Sequence, residues 1–99
     1  MSDSQRPDSA PDSALEFPCR FPIKVMGEAG EDRGESFQAL VITAVQRHAP
    51  DVGEDAVVRR ASREGRYLSL TITVNASSRE QLDAIYRTLT ALDEVLMAL

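Results

Sequence analysis

One stretch of the chain, residues 67–76, limits the possible folds more than any other. It reads Tyr-Leu-Ser-Leu-Thr-Ile-Thr-Val-Asn-Ala, so apolar and small polar side chains alternate without interruption. Side chains on a strand point to opposite faces with a period of two residues. The stretch therefore predicts a long central strand with one apolar face and one polar face.

The half of the chain before this stretch predicts a strand and then a helix. Alternating apolar side chains indicate a strand over about residues 21–26. Apolar residues at helical spacing predict a helix over about 35–48, and Pro50 ends it because a proline drives the preceding residue out of the α region. The glycine-rich residues 27–34 between them match no phosphate-binding motif and carry acidic side chains that would repel phosphate, so a solvated loop is expected.

A weaker strand, about residues 57–62, precedes the central stretch and is joined to it by a turn at 63–66. A two-residue bend ending at Gly65, with the glycine at a positive φ, would place Arg59 on the apolar face of the sheet. A three-residue loop would place Arg60 there instead. In either register an arginine must extend along the apolar surface to reach water, which an edge strand permits.

A second helix and a short strand complete the chain. Ser77 and Glu80 have the spacing of a capping box, which predicts a helix start there and a helix that runs to about Ala91. The apolar residues 95–99 then predict a short final strand. The element order is β-α-β-β-α-β.

This order predicts an α+β fold, the ferredoxin-like plait, with a four-stranded antiparallel sheet in the order 4-1-3-2 and two helices on one face. The single domain is expected over residues 15–99. Residues 1–14 are rich in Ser, Pro and Asp and have no large apolar side chain after Met1, so they are expected to form a disordered acidic tail. The residues predicted to face each other between sheet and helices are Ile23, Val25, Leu70, Ile72 and Val74, and Leu40, Val41, Val45, Leu82, Ile85 and Leu89.

Charge and composition exclude several classes of function. A net charge of −5 argues against binding to nucleic acid and to an anionic membrane surface, since both need clustered Lys and Arg. RNA binding by a plait also needs aromatic side chains on the open sheet face, where Ser69, Thr71 and Thr73 are predicted. The N-terminus has no signal-peptide pattern and no apolar run is long enough to span a bilayer, so a cytoplasmic location is expected.

The sequence contains no recognisable catalytic constellation, so we expect a protein that is not an enzyme and has no catalytic residues. Its one cysteine and one histidine cannot furnish a metal site, and no cofactor is expected. His48, in the last turn of the first helix, is expected to meet the helix dipole and cap carbonyl groups there rather than to act in catalysis. Cys19 is expected to be a small, partly buried apolar residue.

One local group of residues departs from the acidic average of the chain. Arg59, Arg60, Arg63 and Arg66 gather on the predicted second strand and its hairpin. Such arginines protect an exposed strand edge from pairing with another chain. They also match carboxylate and phosphate groups, which would make a docking surface for an acidic partner or an anionic metabolite. The candidate partner or anion surface comprises Arg60, Arg63 and Arg66.

Four stretches of the chain, residues 15–27, 45–50, 65–76 and 92–99, together resemble the YbeD-like family of small bacterial proteins. The most specific parts are the Lys-Val-Met-Gly run that ends the first stretch and the Gln-Arg-His-Ala-Pro run that ends the second. Members of that family are mostly labelled uncharacterised and in some cases "lipoate regulatory protein". The resemblance implies a ferredoxin-like fold similar to the ACT-type regulatory domains, and it brings no catalytic residues with it.

Two functions follow as expectations. The first is a non-enzymatic regulatory or adaptor module that acts through contacts with a protein partner and forms a homodimer through a sheet edge or face. The alternative is an ACT-like sensor of a small metabolite, with its ligand near the loop between the first strand and the first helix or at a dimer interface. The acidic side chains of that loop, residues 28–34, distinguish this chain from the family pattern.

Overall fold

The computed structural model describes residues 15–99, and the predicted tail at 1–14 lies outside the described residues. The described part contains four strands and two helices in the predicted order. They are β1 (Cys19–Glu28), α1 (Glu35–Gln46), β2 (Val57–Ala61), β3 (Tyr67–Ala76), α2 (Arg79–Thr90) and β4 (Val95–Ala98). A short 3-10 turn, Glu54–Ala56, precedes β2. The predicted α+β class is confirmed.

The sheet has the order β2-β3-β1-β4 with antiparallel neighbours, which confirms the predicted 4-1-3-2 arrangement. The two central strands pair along their full lengths, from Cys19 opposite Ala76 to Glu28 opposite Tyr67. This long ladder provides the frame on which the edge strands and both helices are placed.

β1 begins two residues earlier and ends two residues later than predicted, and Pro22 does not interrupt it. The Lys24 N–H points toward β4 and donates to the Leu99 carbonyl over 3.1 Å. Pro22 lies two residues earlier, so its nitrogen faces the same side but beyond the pairing with β4. A proline costs no ladder bond at such a position, and the pairing with β3 continues through it.

The core lies between the sheet and the helices, as predicted. Every residue of the predicted sheet–helix set is buried except Leu40, which is half-buried. Phe37 and Leu68 join this core. Within residues 15–99, the opposite face of the sheet carries no helix, so alternate residues of the central strands are open to solvent there.

The ends of the helices differ from the prediction by one or two residues. α1 ends at Gln46, and the His48 and Ala49 N–H groups both bond to the Val45 carbonyl in a closing turn. The N-cap of α2 is Ser78 rather than Ser77, and its hydroxyl accepts from the Gln81 N–H over 3.1 Å. The predicted capping box was therefore wrong by one position.

Gln81 explains the shift of this cap. Its side-chain oxygen accepts from the Ser77 N–H over 2.7 Å, and its nitrogen donates to the His48 carbonyl over 2.8 Å. A glutamate can only accept and could not make both bonds. Ser78 and Gln81 have the same capping-box spacing as Ser77 and Glu80, and in the folded chain it is Gln81 that contacts the His48 carbonyl.

The hairpin between β2 and β3 has one of the two registers considered from the sequence. Arg59 lies opposite Leu70, on the side of the sheet that faces the helices. The loop, however, has four residues, 63–66, rather than two. Ser62 closes it by donating its N–H to the Tyr67 carbonyl over 2.8 Å and by accepting from the Gly65 N–H over 2.9 Å. Gly65 has the expected positive φ of 76°.

Candidate functional site

His48 has a different structural role from the one predicted. Its Nε2 atom lies 2.7 Å from the Thr88 hydroxyl, so the side chain joins α1 to α2 instead of capping carbonyls of its own helix. Cys19 is half-buried at the start of β1 and packs against the core. No hydrogen bond joins these two residues, so the described chain offers no cysteine–histidine pair for nucleophilic catalysis.

Among residues 15–99, no three His, Cys, Asp or Glu side chains gather closely enough to hold a metal ion. In the same range, neither helix is long and apolar enough to cross a membrane.

In the loop between β1 and α1, the Asp32 carboxylate accepts the hydrogen bonds that a bound anion could otherwise accept. One Asp32 carboxylate oxygen accepts from the Gly34 N–H over 3.1 Å, and the other accepts from the Ser36 N–H over 2.9 Å and from the Ser36 hydroxyl. These bonds, chiefly the one from the Ser36 hydroxyl, lower the pKa of Asp32 below its usual 3.8. The backbone donors that a ligand anion would use at this helix start are therefore already occupied.

The structure gathers Arg60, Arg63 and Arg66 around the ring of Tyr67, and we call these four residues the arginine surface. Arg60 projects from the open face of β2 into a depression of about 130 Å³ that Tyr67 also lines. Arg63 and Arg66 line a neighbouring depression of about 230 Å³, again with Tyr67. The tyrosine side chain is 37% exposed and forms the shared wall of the two depressions.

The three guanidinium groups of this surface are not neutralised by the described chain. Within residues 15–99, none of them forms an ion pair, although Glu64 lines the same depression as Arg63 and Arg66. The Arg66 guanidinium carbon lies 5.9 Å from the centre of the Tyr67 ring, within the range of a cation–π contact. This contact orients one guanidinium without consuming its hydrogen-bond donors.

Arg59, the fourth arginine of the sequence cluster, lies apart from this surface. It points to the helix side, where its Nη1 atom donates to the Gln38 side-chain oxygen over 3.0 Å. The long side chain thus reaches the edge of α1, as expected for an arginine on the apolar side of an edge strand.

A second polar region, which we call the polar cleft, lies at the other end of the sheet. It is a cavity of about 310 Å³ on the open face, where the segment between α1 and β2 passes the ends of the central strands. Its polar side chains are Arg20, Asp51, Asp55, Thr73 and Asn75. The Asn75 amide donates to an Asp51 carboxylate oxygen over 3.1 Å.

Sequence reasoning found the arginines but missed Tyr67 as part of the surface and missed the polar cleft altogether. A signal for the tyrosine was available, because Tyr67 directly follows Arg66 at the hairpin. The cleft had no such local signal, since its residues come from three separate segments that meet only in the folded chain.

The sequence of this chain matches a family model and several bacterial proteins. A family model described as "Protein of unknown function (DUF493)" matches residues 12–99. A UPF0250 protein of Chromobacterium violaceum is 50% identical over 85 residues, which cover 86% of this chain and 91% of that protein. A UPF0250 protein of Pseudomonas aeruginosa is 45% identical over 94 residues, which cover 94% of this chain and 96% of that protein.

A solved structure shares the fold. It is the solution structure of protein HP0495 from H. pylori, which has a TM-score of 0.63 and covers 98% of each chain. Its sequence is 15% identical to this one, so the likeness concerns the fold alone.

Proposed function

The chain belongs to the DUF493 family, and on that premise we propose that it is a non-enzymatic regulatory or adaptor module whose arginine surface binds an acidic segment of a partner protein. The observation that carries this proposal is the grouping of three guanidinium groups without ion-pair partners, within residues 15–99, around the exposed ring of Tyr67. In a chain of net charge −5, this local excess of positive charge stands out from the rest of the molecule.

The positions of the arginines support binding over protection of the strand edge. Arg60 lies on the edge strand β2, where a charge deters pairing with another chain. Arg63 and Arg66 lie in the loop beyond the ladder, where there is no strand edge to protect. Guanidinium groups bind carboxylates through paired N–H donors, and the tyrosine ring offers an apolar contact beside them.

The chemistry of the surface supports binding over turnover. Arginine stays protonated in proteins, so it cannot exchange protons as a general acid or base near neutral pH. The histidine that could do so, His48, contacts Thr88 between the two helices. The arginine surface therefore offers charge and hydrogen bonds to a partner.

The shape of the surface favours a protein segment over a small metabolite. Its two depressions of about 130 and 230 Å³ fall below the roughly 300–1,000 Å³ of typical small-molecule sites. The alternative, a sensor with its ligand at the loop after β1, is less well supported because Asp32 already occupies the backbone donors there.

The test compares two charge-matched triple variants. The first carries Arg60→Gln, Arg63→Gln and Arg66→Gln, and the control carries Arg33→Gln, Arg47→Gln and Arg87→Gln at exposed positions elsewhere. Binding of a labelled peptide of alternating Glu and Leu is followed by fluorescence anisotropy. We expect the first variant to lose at least about tenfold in affinity, or about 1.4 kcal/mol, and the control to lose much less.

An equal loss in both variants would show that only the net charge matters, and would contradict a defined surface. The natural partner is then sought by affinity capture from an extract of the source bacterium, with each of the three proteins as bait. A protein retained by the wild type and the control, but not by the first variant, would support the adaptor role. A set of captured proteins that does not differ among the baits would contradict it.

A further inference from the structure

The polar cleft lies at the end of the sheet opposite the arginine surface. We propose that the polar cleft binds a small zwitterion, a compound that carries one carboxylate and one ammonium group with a short side chain. This inference goes beyond the proposed function and rests on different residues.

The charged groups of the cleft are present in both signs but do not neutralise one another. Arg20 comes from β1, Asp51 follows the end of α1, and Asp55 comes from the 3-10 turn before β2. Within residues 15–99, Arg20 makes no ion pair with either carboxylate, so their closest charged atoms lie beyond salt-bridge distance. A ligand with both charges can bridge that separation and pair with each side.

Two polar residues of β3 define how a ligand would sit. Thr73 and Asn75 alternate along the strand, so both side chains point to the open face. The bond from the Asn75 amide to Asp51 fixes that carboxylate and leaves the Asn75 carbonyl oxygen as an acceptor. An ammonium group has three donors, and the two carboxylates and this amide oxygen supply acceptors for them. The ligand carboxylate then faces the Arg20 guanidinium.

The size of the cleft limits the ligand. About 310 Å³ lies at the lower end of the range for small-molecule sites. Among the lining residues, the apolar side chains are those of Val52, which is buried, and Ala56. The cleft thus has room for a short side chain and little apolar surface for a large one.

Ligands of a single charge fit this lining less well. An anion would meet two carboxylates for one guanidinium, and a cation would meet the guanidinium beside its carboxylates. A metal ion lacks a set of three acidic, His or Cys ligands in the described chain. The zwitterion is the class in which each charge meets its opposite.

The test is an NMR titration of the ¹⁵N-labelled protein with glycine, L-alanine and L-serine. Acetate and methylammonium serve as matched probes that carry one charge each. We expect saturable shifts of the backbone amides of Arg20, Gly53 and Asn75, with an affinity for an amino acid at least about tenfold higher than for either single-charge probe. If acetate or methylammonium bound as tightly as an amino acid, the proposal that the ligand is a zwitterion would be overturned.

Three variants locate the site. Arg20→Gln and Asp55→Asn each remove one charge at an exposed position and should each weaken binding by about tenfold or more. Gly53→Ala leaves every charge in place, but the new Cβ would lie 3.1 Å from an Asp55 carboxylate oxygen and displace it. Since the φ of Gly53 is −124°, the substitution adds no backbone strain. The control pair is Arg33→Gln and Glu31→Gln, which should bind as the wild type does.

Two results would overturn the proposal. The first is the absence of saturable shifts at about ten millimolar amino acid, ten times the dissociation constant of a weak millimolar site. The second is a set of shifts confined to the hairpin at residues 63–67, which would place the ligand on the arginine surface. In each variant, retained chemical-shift dispersion in the spectrum would show that the protein is folded and that only ligand binding is lost.

Discussion

At the scale of single residues, Asp32 shows how a side chain can take the place of a ligand. Its carboxylate accepts from the backbone of Gly34 and Ser36 and so completes the start of α1. These hydrogen bonds stabilise the ionised carboxylate, and they therefore lower the pKa of Asp32.

The first prediction concerns the pH dependence of this cap. Because folding lowers the pKa of Asp32, its stabilising effect is complete above the usual value of 3.8 and is lost as the pH falls through the lower folded value. Asp32→Asn should therefore lower the Tm near neutral pH, and the gap to the wild type should narrow below pH 3.8. Thermal unfolding followed by circular dichroism measures this gap. Glu31→Gln, which removes a charge from the same loop, should leave the Tm nearly unchanged, and a gap constant with pH would contradict the assignment.

Gly27 illustrates a close approach that only the absence of a side chain permits. A Cβ at this position would overlap the ring of Phe37 on α1 and lie 2.8 Å from the Glu94 carbonyl oxygen. The glycine is buried in β1, so the neighbours have little room to move.

The second prediction follows from this contact. Gly27→Ala should lower the free energy of unfolding by about 1–3 kcal/mol, the usual cost of overpacking a core, as measured by urea denaturation. Adding Phe37→Leu should recover part of this loss, because the ring that meets the new methyl group is removed. If the double variant were less stable by the full sum of the two single losses, Phe37 would not be the obstacle.

At the scale of elements, the two helices are joined by polar contacts as well as by the core. His48 contacts the Thr88 hydroxyl, and the Gln81 side chain donates to the His48 carbonyl. These bonds connect the closing turn of α1 with α2.

The third prediction is a coupling energy between His48 and Thr88. The variants His48→Ala and Thr88→Val, alone and together, form a double-mutant cycle measured by urea denaturation. A half-buried hydrogen bond should give a coupling of about 0.5–1.5 kcal/mol. If the losses of unfolding free energy in the two single variants sum to the loss in the double variant within about 0.3 kcal/mol, the contact contributes nothing to stability.

Across elements, prediction from the sequence succeeded where the signal was local. Alternation along residues 67–76 and helical spacing in the two helices predicted the element order, the sheet order and the buried residues. The cap of α2 was misplaced by one position because Ser78 and Gln81 have the same capping-box spacing as Ser77 and Glu80. The first strand was predicted too short because its ends, at Cys19 and Glu28, follow the pairing with β3 rather than the alternation of its own side chains.

At the scale of the whole molecule, one candidate site is formed by residues close in sequence and the other by residues that are far apart in it. The arginines are close in sequence because one hairpin carries them, so their surface could be predicted. The polar cleft joins Arg20 to Asn75 through strand pairing and adds a loop that follows α1. These residues come together only in the folded sheet, so their spacing along the chain does not predict the cleft.

The β1–β3 ladder also sets how the two sites can influence each other. Arg20 pairs with Asn75 near one end of the ladder, and Glu28 pairs with Tyr67 at the other, eight residues further along. That is roughly 27 Å at about 3.4 Å per residue, and physiological salt screens exposed charges over about 8 Å. Filling one site should therefore leave the electrostatic potential at the other nearly unchanged. The two proposed ligands should therefore bind at the same time, each with the affinity it has in the absence of the other.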